Sequence, residues 1–392
     1  MRGVPVLLSV VLAVALSAPG PAPAQSKVPV KIGLAAAVSG GSAASGEAIK
    51  RGLQIAIDEI NAKGGVLGGR KLELVIRDDE GNPQTGITIA RELVEREKVA
   101  AVFGGLHTTV ALAQVSVWQE LKTPYMGAWA AGTNITRNGQ TPNYVFRVSA
   151  NDDYVDRFLS RYAIEVLKKG KPGFLLENTP WGQSNETGLT KWFGEKGVKA
   201  VGVERFNWND PDMSPQLLRL KNAGADHIVL VANAPEGAQV LRSKAKLGWD
   251  AAMISHWGIS GGRFAELTGD LSEGVTFIQT YTFSGRQSER GQYVLKMLRE
   301  KYGVKEPGDV IAPVGTANAY DGLHLVALAI VQAGSTDGTK VREALENLKG
   351  EYKGLIKTYK RPFTPEQHDA LTDQDYVMVV WKGGKIVPVT KK

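Results

Sequence analysis

The chain has 392 residues, 47 Lys and Arg against 40 Asp and Glu, and no cysteine. The missing cysteine excludes disulfides, thiolate metal sites, cysteine nucleophiles and a lipid-modified N-terminal cysteine. The net charge of +7 is scattered singly among acids, as at Lys50, Arg51, Arg91, Arg96, Lys168 and Lys169, which fits a solvated basic surface and not a clustered nucleic-acid-binding stripe.

The N-terminus carries Arg2, an apolar run from Val4 to Ala18, and then Ala22-Pro23-Ala24. This pattern predicts a secretory signal peptide cleaved after Ala24. The run is shorter than the roughly 20 residues a membrane span needs, and prolines follow it instead of basic residues. Export without a lipid anchor points to a Gram-negative-type periplasm. No later segment reads as crossing a bilayer, and the remaining length suits two domains.

Val28–Val38 predicts a strand. After the small polar loop Ser39–Gly46, the residues Ile49, Leu53, Ala56, Ile57 and Ile60 are spaced for one face of a helix. Leu72, Leu74 and Ile76 alternate as a strand, and Asn82-Pro83 supplies the cap and first-turn proline of a helix with Ile87, Ala90, Leu93 and Val94 inward. VAAVFGG is a continuous apolar run, the signature of a strand buried on both faces of a parallel sheet. A helix from about Thr108 to Lys122 and a strand at TPYMGAW extend the series of βα units, a doubly wound sheet.

The alternation restarts after Arg147. Val155, Phe158, Leu159, Tyr162, Val166 and Leu167 mark a helix, and strands at PGFLLEN, KAVGVERF, DHIVLVA and AAMIS alternate with further helices, predicting a second sheet of the same kind. Helices follow around 288–302, 317–333 and 339–348. YVMVVWKGGKIVPV predicts a closing β-hairpin with its turn at Lys382-Gly383-Gly384-Lys385.

In open parallel sheets, ligands sit beyond the carboxyl ends of strands. VAAVFGG ends in such a loop, and Leu106-His107-Thr108-Thr109 opens a helix whose free N–H groups and threonine hydroxyl suit a carboxylate. Asn233, at the end of DHIVLVA, is placed by the same rule. Trp181, set among Pro180, Gly182 and Gln183, reads as a loop residue and not as helix core.

The stretch SGGSAASGEAIKRGLQIAIDEINAKGGVLGGRKLELVIRDDEGNPQTGITIARELV resembles the opening of periplasmic amino-acid-binding proteins of the leucine/isoleucine/valine type, subunits of ABC importers. VFGGLHTTVALA, AAGTNIT, ENTPWGQSN and AYDGLHLVALAI continue the resemblance over essentially the whole mature chain. It implies a type I periplasmic binding fold: two α/β lobes joined by a three-segment hinge with crossovers near 147, 277 and 357. Lobe one would comprise 28–147 and 280–357, and lobe two 148–279 and 358–392. A monomer that binds a small carboxylate ligand and docks on an inner-membrane ABC permease is implied, with no cofactor and no metal.

The resemblance also assigns the cleft. It places a carboxylate-binding hydroxyl at Thr108, a backbone contact at Ala131 and a hydroxyl at Thr133. It puts Ser45 where relatives carry an aromatic side chain over the ligand, and Trp181 where a second-lobe aromatic closes from the other side. Trp257 stands where amino-acid-binding relatives commonly place a glutamate for the ligand's ammonium. A buried ammonium needs a carboxylate or several acceptors, so this departure points to an acid without an amino group, aromatic or aliphatic, unless a second acid such as Asp321 takes the role.

SHWGISGG, residues 255–262, raises a rival reading, because Gly258-Ile259-Ser260-Gly261-Gly262 matches the nucleophile-elbow pattern of serine hydrolases. Asp321 followed by His324 or His368 would complete a triad in the usual chain order. The five histidines show no metal-ligand spacing. A ligand-sensing regulator on the same two lobes would carry a further DNA-binding or signalling segment.

Overall fold

The computed structural model describes residues 28–389, so the signal-peptide segment lies outside the described residues. Two α/β lobes form around two sheets. The first sheet contains β1 (Val30–Ala36), β2 (Leu72–Asp78), β3 (Ala101–Gly104), β4 (Tyr125–Gly127) and β5 (Val145–Arg147), all parallel, in the order β2-β1-β3-β4-β5.

The second sheet begins with β6 (Pro172–Glu177), β7 (Gly202–Phe206), β8 (His227–Val231), β9 (Ala252–Ser255) and β10 (Thr276–Gln279), parallel in the order β10-β9-β8-β6-β7. The chain then leaves this sheet, forms the helices Glu289–Tyr302, Pro313–Ala333 and Gly338–Glu346, and makes a small antiparallel pair, β11 (Glu351–Lys353) and β12 (Thr358–Lys360). It returns as the hairpin β13 (Val377–Lys382) and β14 (Lys385–Pro388), which extends the second sheet antiparallel to β10. The small β11–β12 pair was not foreseen from the sequence, where its two short strands carry little periodic signal.

Local chemistry sets the helix starts. The Asn82 side chain accepts from the N–H groups of Gln84 and Thr85, with Pro83 in the first turn; Asn151, Thr179 and Ser288 cap their helices in the same way. The helix Pro313–Ala333 corrects one expectation: it is long and apolar enough to cross a membrane, yet 89% of its apolar window is buried inside the protein. It packs on Ala43–Ala62, where Thr316 Oγ1 donates to the Ala48 carbonyl at 3.1 Å. A side chain at Gly52 would meet the Thr316 carbonyl oxygen at 2.2 Å, so glycine is what lets these two backbones approach.

The chain passes three times between the sheets, and two of these segments pair with each other. Arg147 and Asp369 form a parallel bridge, with Arg147 N–H donating to the His368 carbonyl at 2.8 Å and Ala370 N–H to that of Arg147 at 2.9 Å. The Arg147 side chain is fully buried. Its Nε donates to Asp369 Oδ1 at 2.7 Å, its Nη1 to the Gly132 carbonyl at 2.8 Å and its Nη2 to Thr136 Oγ1 at 2.9 Å. The other Asp369 oxygen accepts from Asn151 Nδ2 at 2.8 Å. A buried charge pair is tolerable only when its remaining donors and acceptors are satisfied, and this one is.

Candidate ligand-binding site

Each sheet reverses its strand order once, between β1 and β3 in the first and between β6 and β8 in the second. Crevices outside the carboxyl ends of strands at such switch points are where open α/β sheets take ligands. The loops leaving β3, β6 and β8 meet around a narrow, closed-up cleft, with His107, Thr108 and Thr109 on one side and Glu177, Trp181, Trp208 and Asn233 on the other. Wider depressions elsewhere, one lined by Glu59, Arg290 and Tyr293 and another by Arg263, Ile311 and Lys385, lie away from both switch points.

On the first wall, His107 is the N-cap of the helix Thr108–Glu120 in an extended conformation, and no side chain caps the helix. Its first-turn N–H groups therefore lack intrahelical acceptors and face the cavity end of a helix dipole. Thr108 Oγ1 accepts from Gly132 N–H at 3.2 Å, which leaves its own proton to donate, and Thr109 Oγ1 is buried without a partner. Burial pushes the His107 imidazole down to about 4, so the ring is neutral. Its Nε2 lies 3.2 Å from Ser42 Oγ, and the ring stands 5.5 Å from Trp208 across the cavity.

Three expected ligand contacts on this side are otherwise engaged. The Ala131 carbonyl accepts from Asp152 N–H at 2.8 Å. The Thr133 hydroxyl donates to Asn151 Oδ1 at 3.0 Å and accepts from Asp153 N–H at 3.1 Å, bracing the start of the helix Asp152–Arg161, and the residue lines with Thr108 a neighbouring depression that faces Gln183 and Ser184. Ser45 is buried in the first turn of Ala43–Ala62, gives its proton to the Ser42 carbonyl at 2.6 Å and lies outside the cleft lining.

On the second wall, Trp181 belongs to the first turn of the helix Pro180–Gly194 and is not a loop residue. Its indole donates to Asp152 Oδ1 at 3.2 Å and meets His256 edge-on at 5.0 Å between centroids. His256 Nδ1 accepts from Trp257 N–H at 2.8 Å, which assigns the ring proton to Nε2, 3.0 Å from the same Asp152 oxygen. Trp257 is 1% exposed, and its ring lies 5.7 Å from that of Trp129 of the first lobe at 52°. A side chain at Gly258 would strike the Ala232 carbonyl at 2.4 Å and the Trp181 ring at 2.6 Å, so this turn can hold only glycine. The two indoles fill the space that a glutamate at 257 would leave polar.

Asn233 Nδ2 donates to Glu177 Oε2 at 3.1 Å, and Thr179 Oγ1 donates to Glu177 Oε1 at 3.0 Å. Glu177 is 2% exposed and forms no ion pair among the described residues. Burial pushes its carboxyl up to about 7, with nearby Glu236 adding to the rise and hydrogen bonds from Trp208, Thr179 and Asn233 opposing it.

The remaining candidates lie elsewhere. Asp321 is not brought to the cleft lining: its carboxylate accepts from Leu355 N–H at 2.7 Å, Ile356 N–H at 3.0 Å and the Tyr359 hydroxyl at 3.0 Å, fixing a turn. His324 pairs with Glu59, and His368 with the Val145 carbonyl and Glu346. Ser260 Oγ donates to the Trp257 carbonyl at 2.8 Å and accepts from Gln279 Nε2 at 2.9 Å. The Ser260–Asp321–histidine triad is not assembled, and the G-x-S-x-G stretch is a structural turn.

A family profile described as periplasmic binding protein matches residues 29–385. The chain belongs to the periplasmic binding protein family. Leu/Ile/Val-binding protein homolog 2 of Brucella abortus is 28% identical over 356 residues, 91% of each chain. The crystal structure of a periplasmic binding protein type 1 from Bordetella pertussis Tohama I superposes with a TM-score of 0.84 at 25% identity, over 92% of this chain and 100% of that one. An R. palustris ABC-transporter solute-binding protein, solved with 4-hydroxybenzoate, shares the fold with a TM-score of 0.78 at 22% identity, over 93% and 96%. Membership of this periplasmic family places the chain in the periplasm, with ABC-type solute binding as its class of activity. Sequence reasoning missed Glu177, Thr179 and Trp208, which line the cleft, and Asp152 and His256, which bond to each other and contact Trp181 behind it. Of these, Glu177 carried a readable signal, since it stands near the carboxyl end of the predicted strand PGFLLEN.

Proposed function

We propose that this protein is the exported, monomeric solute-binding subunit of an ABC importer, with its leader cleaved after Ala24. It takes a small carboxylate ligand whose anion sits on the N-terminus of Thr108–Glu120. The carrying observation is that uncapped helix end, with the Thr108 proton free and the Thr109 hydroxyl buried and unpartnered, facing the opposite wall across the cavity. Lobe one comprises 28–147 and 280–357 and lobe two 148–279 and 358–392; ligand favours their closed arrangement, which docks on the inner-membrane permease.

Native mass spectrometry of ligand carried through purification tests the reading directly. In calorimetry, Thr108→Ala weakens that ligand by roughly 1.5–3 kcal/mol, the range for a hydrogen bond to a charged group, and Thr108→Ser restores it. Unchanged affinity in Thr108→Ala would place the anion elsewhere. A second reading, an aromatic or aliphatic acid without an amino group, draws on Trp257, which puts an apolar face where relatives hold an ammonium. The benzoate-type ligand of the R. palustris protein fits it.

A further inference from the structure

We propose that Glu177 receives the ammonium of the ligand, so that the cleft takes an amino acid through a carboxylate different from the one at the position of Trp257. The inference rests on the reading that the ligand's carboxylate sits at Thr108, since both groups line the same narrow cleft. Glu177 ends β6 and Asn233 follows β8, so the carboxylate stands at the second sheet's switch point, opposite the helix end that would hold the anion.

The chemistry of the pocket asks for a cation there. Glu177 is buried, yet every group bonded to it is neutral: Asn233 Nδ2 and Thr179 Oγ1, with Trp208 beside them. The charged residue that acts on it from its own wall is another acid, Glu236, and the histidine facing it across the cleft, His107, is neutral. An ionised carboxylate in such a place is costly until an opposite charge arrives. A ligand bearing only a carboxylate would bring a second negative charge into the same small space. A ligand bearing an ammonium as well completes both ends, and the buried Trp129–Trp257 contact takes no part in charge recognition.

Matched ligand pairs test this on the unmodified protein: leucine with 4-methylpentanoate, phenylalanine with 3-phenylpropanoate, and 5-aminopentanoate with pentanoate, each measured by calorimetric titration. The expected result is that, for at least one pair, the amino acid binds on the order of tenfold or more tighter than its amine-free partner. In Glu177→Gln that advantage disappears while the amine-free partner binds as well as before or better. Amine-free acids binding as tightly as their amino partners, or an amino-acid advantage that survives in Glu177→Gln, overturns the assignment to Glu177 but leaves the Thr108 anion site standing. If no member of any pair binds, the reading on which the inference rests falls with it.

Discussion

Asp369 and Glu177 are equally buried carboxylates in opposite electrostatic conditions. Asp369, at the hinge, has a guanidinium on one oxygen and an amide on the other, and Thr136 adds a hydroxyl at 2.9 Å. Glu177, at the cleft, has neutral donors only and a carboxyl raised to about 7 by burial. The hinge charge is completed within the chain, whereas Glu177 has no ion-pair partner among the described residues. Both carboxylates are hydrogen-bonded, so the difference between them is the cationic partner that Asp369 has and Glu177 lacks.

The largest effect is expected at the hinge. Arg147→Met removes the guanidinium that hydrogen-bonds Asp369 and leaves a buried carboxylate with the half-exposed Arg137 4.0 Å away, so unfolding by denaturant should show a loss of about 3–5 kcal/mol. A loss under 1 kcal/mol would mean that the hinge pair is replaceable and the contrast with the cleft is false.

Glu177→Gln should behave oppositely. Folding raises the Glu177 pKa from an ordinary value near 4.3 to about 7, so the stability gained by holding its proton is full below the ordinary value and is lost as pH rises through about 7. Ligand-free Glu177→Gln should therefore match the natural protein near pH 4.5 and exceed it by up to about 3 kcal/mol at pH 8. Glu236 and His107 remain in both proteins and cancel in the difference. Thermal unfolding across that range checks it; a difference that is flat or reversed with pH would break the comparison.

A third carboxyl sharpens the contrast. Asp156 is fully buried against Gly188, with neither oxygen hydrogen-bonded by a donor, and burial together with Asp152 holds its pKa well above the usual carboxylate range. By the same sign, its contribution is present at acid pH and lost as pH rises. Asp156→Asn should lose less stability than the natural protein between pH 5 and 8, by about 1–2 kcal/mol. An identical pH profile in the two proteins would show that Asp156 does not keep its proton.

The smallest effect is expected at Thr133. Its hydroxyl braces the start of Asp152–Arg161, so Thr133→Ala should cost about 1 kcal/mol of stability, the scale of a lost helix cap, and leave ligand affinity within twofold. A tenfold loss of affinity with unchanged stability would return Thr133 to the ligand.

The alternation of apolar runs with helical periodicity determined the α/β architecture and the two-sheet division. Those signals are local, reaching no further than the next strand or helix. The uncapped helix start at Thr108 was legible for the same reason, since a strand-end loop followed by His107-Thr108-Thr109 is a short-range pattern. Which acid would face the cleft was not. Asp321 and Glu177 read alike in sequence, one on a helix and one at a strand end, and only the folded chain gives the first two backbone N–H groups from 355–356 and leaves the second beside a cavity. Ser260 and Thr133 were decided in the same way, by partners nearly twenty residues away. The partnering of a buried polar group is a long-range property, set by strand order and by the crossing of chain segments, and the energetic difference between a closed pair and an open receptor exists only once water has been excluded around it.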